Sequence, residues 1–280
     1  MSWRMRVVHK TGYEYDGPVT ASYNEARLTP RSDGRQTVVL NRVETTPATR
    51  SYRYTDYWGS AVTAFDLHAP HTSLEVVGHS VVETEPVRPP DEPAGWDVIT
   101  DQDTRDRYDE VLAPSAYVPT DPELEATARE LARGLEPVDA VIAAAQWVYD
   151  QMDYVPGTTG VHTSALQAFE ERQGVCQDYA HLTLLLLRRM GIPARYVSGY
   201  LHPVADAEIG ETVAGQSHAW IQAWTGSWWG YDPTNAKFVS EQHTSVAIGR
   251  DYTDVPPLKG IYMGGHATAH EVVVEVTRLA

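Results

Sequence analysis

The chain has 280 residues, 42% of them hydrophobic and 21% charged, with a formal net charge of -16 at pH 7. That length and balance suit a globular protein with one large or two modest cores, not a disordered one. The acidic sign excludes a nucleic-acid partner, which needs a basic footprint, and equally an acidic membrane surface.

Met1 to Val7 carries positive charge, but no apolar stretch follows it, and the apolar run Leu184 to Leu187 is far too short to span a bilayer. Together with a single cysteine, which cannot form an intrachain disulfide, this points to a reducing cytoplasm.

Residues 4–15, 19–28, 37–44, 61–67 and 74–82 are rich in Val, Thr and Tyr and separated by Gly, Pro, Asn or Asp. They predict short strands and a small β-rich N-terminal domain over 1–88. Pro86, Pro89, Pro90 and Pro93 then rule out a central strand or helix interior. Residues 89–118 read as a Pro-rich and acidic connector, and 119–280 as the core domain that follows it.

The core begins with helix signals. Thr120-Asp121-Pro122-Glu123 offers a cap followed by proline and acid. Pro137 starts a second helix to about residue 152, with Val138, Val141, Ile142, Ala145 and Val148 on one face. Residues 164–171 predict a short helix and 176–190 a longer one, closed by Gly191 with Pro193 beyond. The second of these is apolar around most of its circumference and belongs inside the domain. Strands follow at 194–201, 217–224, 228–232 and 271–277.

Cys176 is the sole cysteine. A free cysteine is most often a buried small hydrophobe, but this one stands at a helix start, where unpaired N–H groups and the macrodipole favour negative charge on sulfur. Its own N–H is free to meet an oxyanion. Such a nucleophile needs a base and an acid for the leaving group, which imidazole supplies. Of eleven histidines, His218 opens a strand in which period two puts His218, Trp220, Gln222 and Trp224 on one face. If Thr225-Gly226-Ser227 is a three-residue loop, Trp224 faces Trp228 and Asp232 falls on the side of His218, at a diagonal of roughly 7–8 Å. A two-residue loop would send Asp232 to the other face.

His181 points about 140° away from Cys176 on the same helix and reads as a core or supporting histidine. His202, His243, His266 and His270 have no Cys or carboxylate neighbours at metal spacing, so neither a metal nor a cofactor is expected. Tyr154, Gln173 and Gln177 are candidates for a second oxyanion donor. Trp220, with Trp224, Trp228 and Trp229, either walls a substrate groove or packs in the core.

Gln173-Gly174-Val175-Cys176-Gln177-Asp178-Tyr179-Ala180-His181, then Ser217-His218-Ala219-Trp220, then Tyr231-Asp232-Pro233-Thr234-Asn235 resemble, in order, the three core motifs of the transglutaminase-like superfamily. Residues 13–31 are similar to the N-terminal region of its bacterial branch, and 249–257 to that branch's C-terminal segment. The resemblance implies an α+β fold: a papain-like core, with the cysteine helix packed on an antiparallel sheet, after a β-rich N-terminal domain. It implies Cys176 as nucleophile, His218 as base and acid, and Asp232 as the residue orienting His218.

The superfamily includes crosslinkers, deamidases, peptidases, glycanases and inactive modules. The expected activity is cysteine-dependent hydrolysis of an amide in a peptide or protein substrate, through a thioester acyl-enzyme. The alternatives are acyl transfer to an amine and a noncatalytic binding module. The calcium dependence of animal members is not implied, because no acidic loop of the EF-hand kind is present.

Overall fold

The computed structural model describes residues 2–280. A five-stranded antiparallel sheet holds Lys237–Phe238, Trp228–Asp232, Gln216–Trp224, Ala194–Leu201 and His243–Gly249, in that spatial order. Against it lies the helix Cys176–Met190, whose Leu182, Leu184, Leu185, Leu186 and Leu187 are all buried. The helices Pro122–Leu131, Pro137–Gln151 and Ala165–Glu171 cover the rest of that helix. A helix apolar around its circumference has no solvent face to offer, so it becomes the centre of the α+β core.

Local chemistry sets the ends of these helices. Asp121 accepts from the Leu124 N–H at 2.9 Å with Pro122 in the first turn, and Ser164 and Gln167 form a reciprocal capping box. Gly191 ends the cysteine helix at φ +82°, while the Ile192 N–H reaches back to Leu187 O at 2.9 Å. The acidic stretch after the prolines forms three short helices, Trp96–Ile99, Gln102–Arg107 and Asp109–Leu112.

An eight-stranded sheet is built around the strand Trp3–Ala26. Gly17 and Pro18, expected to separate two strands, produce a register shift within one: pairing to His71–Thr84 resumes only at Val19. Proline removes one ladder donor without ending the run.

The C-terminal residues depart from the expected division of the chain. Leu258–Gly264 and Ala267–Arg278 pair with Trp3–Ala26, not with the core sheet that precedes them. The N-terminal sheet therefore contains both ends of the chain. The alternating pattern of 271–277 foretells a strand but carries no information about its partner, and Val274 and Val276 find burial beside Met5 and Val7.

The two sheets meet along the edge strand His243–Gly249. The Gln36 side-chain amide donates to Ser245 O and accepts from the Ser245 N–H, both at 2.8 Å, and the Arg31 N–H donates to Ser245 O at 3.0 Å. Backbone groups that an edge strand would leave unpaired are thereby satisfied from the N-terminal sheet. Among the described residues, no helix is long and apolar enough to cross a membrane.

Candidate active site

Cys176 is the first residue of its helix, after Val175 in extended conformation. The Asp178 carboxylate closes this turn, accepting from the Val175 N–H at 2.8 Å and from the Thr159 hydroxyl at 2.6 Å. Burial pushes the Asp178 pKa up, against these hydrogen bonds. A Cβ at Gly174 would lie 2.7 Å from the Cβ of Asp178, so only glycine lets the capping carboxylate approach. The N–H groups of Cys176 and Gln177, first in the helix, are left without intrahelical acceptors.

The hairpin decides whether His218 and Asp232 meet. Trp224 pairs with Trp228 and Ile221 with Tyr231 across a three-residue loop in which Gly226 takes φ +101°. Asp232 therefore shares the sheet side of His218, and its Oδ2 lies 2.8 Å from His218 Nε2. The other ring nitrogen, Nδ1, is left for the thiol. Burial alone would lower the His218 pKa, but Asp232 and then the neighbouring Cys176 raise it to about 10.

Asp232 is completely buried and surrounded by donors. Its Oδ2 accepts from His218, from His243 Nε2 at 3.2 Å and from Asn235 Nδ2 at 2.7 Å. Its Oδ1 accepts from the N–H groups of Thr234 at 3.0 Å and Asn235 at 3.3 Å. Pro233 ends the strand and lets the chain turn back over the carboxylate. Burial opposes ionisation, yet His218 and these donors hold Asp232 well below the usual carboxylate range.

No ligand-like residues stand at metal spacing from His243 in the sequence. The alternating β-branched residues Thr244, Val246 and Ile248 mark a strand that could carry it inward. Donor atoms of His218, Asp232 and His243 lie within 4.8 Å of one another. The Ser240 N–H meets His243 Nδ1 at 3.2 Å, which assigns the hydrogen of that ring to Nε2. The cluster is thus joined by protons, with no free nitrogen of His243 facing a cation.

A groove of about 560 Å³ runs past His218, lined by Tyr149, Asp153, Tyr154, Gln216, Thr234 and Asn235 among others. Asp153–Tyr154 forms a parallel ladder with Gln173–Gly174, which brings Tyr154 beside the cysteine turn. The Tyr154 phenol is held protonated, its pKa raised by burial and then by Cys176 and Asp232. Gln173 is half-buried in the ladder, and Gln177 is buried as the second residue of the helix.

Trp220 does not reach the groove. It is 0% exposed and packs with Val197, Val239 and Ile248, its ring edge toward His243 at 5.2 Å. A strand covered on both faces gives an aromatic side chain no route to solvent, so Trp220 is a core residue and not the substrate-binding one its strand face suggested. Trp224 and Trp228 pack on Tyr108, and Trp229 donates to Thr225 Oγ1 at 2.9 Å. His181 is a core residue whose Nε2 accepts from the Tyr252 N–H at 3.2 Å, and burial keeps it neutral.

Residues 125–233 match the model of the transglutaminase-like superfamily, and residues 5–83 match the bacterial transglutaminase-like N-terminal region. A protein of Mycobacterium leprae, itself uncharacterized, is 63% identical over 278 residues, covering 99% of this chain and 100% of its own.

The chain belongs to the transglutaminase-like superfamily.

A crystal structure of a candidate cysteine protease from Cytophaga hutchinsonii shares the transglutaminase-like fold, with a TM-score of 0.79 over 100% of this chain and 92% of that one at 23% identity. A protein-glutamine gamma-glutamyltransferase of Pseudomonas aeruginosa is 30% identical over 123 residues, 40% of this chain and 18% of its own. Cys176, His218 and Asp232 lie in or next to the part of the chain that matches the superfamily core, with Asp232 near its end.

Proposed function

We propose that the protein hydrolyses an amide bond in a peptide or protein substrate through a thioester on Cys176. The observation that carries this reading is the arrangement of His218, with Nε2 on Asp232 and the thiol beside it, at the first turn of a buried helix. Sulfur attacks the carbonyl carbon while His218, protonated at Nδ1, holds the proton that Cys176 has given up. The Cys176 N–H stabilises the oxyanion, with Tyr154, Gln173 or Gln177 as the second donor. His218 returns the proton to the departing amine, leaving a thioester. It then takes a proton from water, which adds to the acyl carbon and releases the acid and the thiol.

The open groove supports an extended substrate, because Tyr149 and Tyr154 stay 46% and 48% exposed along it. A single half-buried free thiol suits the reducing cytoplasm. Acyl transfer differs only in what attacks the thioester. It is favoured by the likeness of the core to the Pseudomonas glutamyltransferase. Incubation with a glutamine-bearing protein and a fluorescent primary amine separates the two. Ammonia or a new peptide amine released without label is expected, label in the protein marks transfer, and none of these products from a folded enzyme over a panel of peptides overturns both.

A further inference from the structure

His243 contacts Asp232, yet the proposed reaction has no use for it. It is 0% exposed at the start of His243–Gly249, and its Nε2 reaches the same oxygen of Asp232 that accepts from His218. The Ser240 N–H on Nδ1 fixes the neutral tautomer with hydrogen on Nε2, and the Ser240 hydroxyl stands 3.4 Å from the same nitrogen. His243 is therefore a donor to the carboxylate and not a second base.

Its position is imposed from outside the core sheet. The Arg35 guanidinium donates to His243 O, and the Gln36 amide pairs with both backbone groups of Ser245 two residues on. Thr84 Oγ1 donates to Glu241 O at 2.6 Å just before it. The N-terminal sheet thus fixes the strand end from which the imidazole reaches Asp232.

The charges around the cluster favour that neutral state. His243 faces Asp232, the cationic His218 and Lys237, with Arg35 at its carbonyl. His218 faces Asp232 and Cys176, both of which also face Tyr154 and raise its pKa. Burial first, then His218 and Lys237, lower His243 to about 4 against the pull of Asp232. At pH 7 it carries no charge.

We propose that His243 is a positioning residue for the Cys176, His218 and Asp232 set: a neutral N–H donor that pins Asp232 Oδ2 and takes up part of its charge. This rests on the reading of His218 as the base. A carboxylate shared among neutral donors stabilises the His218 imidazolium less than an unshared one, so His218 gives its Nδ1 proton more readily to a leaving amine.

The test follows the rate of Cys176 alkylation by iodoacetamide from pH 4 to 10 in the full chain, for wild type, His218→Ala, His243→Leu and His243→Gln. Thermal melts are recorded beside it. Wild type is expected to show a pH limb that disappears in His218→Ala. His243→Leu should move that limb up by ~1 pH unit. His243→Gln, whose amide can both donate to Asp232 and accept from Ser240, should bring it back to within ~0.3 unit of wild type. A limb left in place by His243→Leu, even with a lowered melting temperature, reduces His243 to packing and overturns the proposal. Nitrogen-15 NMR of the wild-type imidazoles needs no variant to fold, and a hydrogen on His243 Nδ1 at pH 7 overturns it too. If wild type has no His218-dependent limb, the pairing of Cys176 with His218 fails and His243 has nothing to position.

Discussion

His218 donates through Nε2 to Asp232 Oδ2 at 2.8 Å, which assigns Nδ1 to Cys176. An amide at position 232 would keep the shape and lose the charge that holds the imidazolium. Asp232→Asn is expected to reduce kcat/KM by ~10²–10⁴-fold. It should also lower the His218 pKa, which an imidazole NMR titration reads directly.

Stability should peak near neutral pH, because buried imidazoles titrate on both sides of it. His218 is raised from 6.5 to about 10, so its contribution is complete below 6.5 and is lost as pH rises through 10. His9 and His243 are lowered from 6.5 to about 4, chiefly by burial, so their contributions are present above 6.5 and are lost as pH falls through 4. Urea unfolding between pH 4 and 10 should fall off in both directions, and His218→Gln should flatten the alkaline side alone.

Gly174→Ala puts a methyl group against the Asp178 side chain at 2.7 Å. Relief requires Asp178 to leave the Val175 N–H, which frays the turn that presents Cys176. The expected cost is ~1–3 kcal/mol of stability, measured by denaturant unfolding. Slower iodoacetamide capture of Cys176 should accompany it.

Gln36→Ala removes both amide bonds to Ser245 and leaves a buried N–H without its partner. Destabilisation of ~1–3 kcal/mol is expected. Hydrogen exchange at Ser245 should quicken more than at the core helix, since the damage is confined to the sheet edge.

Leu185 is fully buried in the middle of the cysteine helix. Leu185→Ala should cost ~2–5 kcal/mol, seen as a lower melting temperature.

The signals that could be read along the chain are those that act between near neighbours. Helix caps at Asp121, Ser164 and Gly191, the hairpin turn at Gly226 and the alternation of 217–224 depend on residues a few positions apart. They sufficed to place Cys176 at a helix start and to put His218 and Asp232 on one side of a sheet. The family resemblance of three ordered motifs added the papain-like core.

What stayed hidden depends on residues distant in the chain. Gln36 finds Ser245 across a separation of 209 positions, and Ala267–Arg278 finds Trp3–Ala26 from the opposite terminus. Nothing along the chain says that the strand of His243 sets it on Asp232, and whether Trp220 walls a groove or packs in the core is decided by the covering of both sheet faces. A period of two states that a side chain lies on one face or the other. Which face is dry, and what waits there, is settled only by how distant strands bury their shared surface.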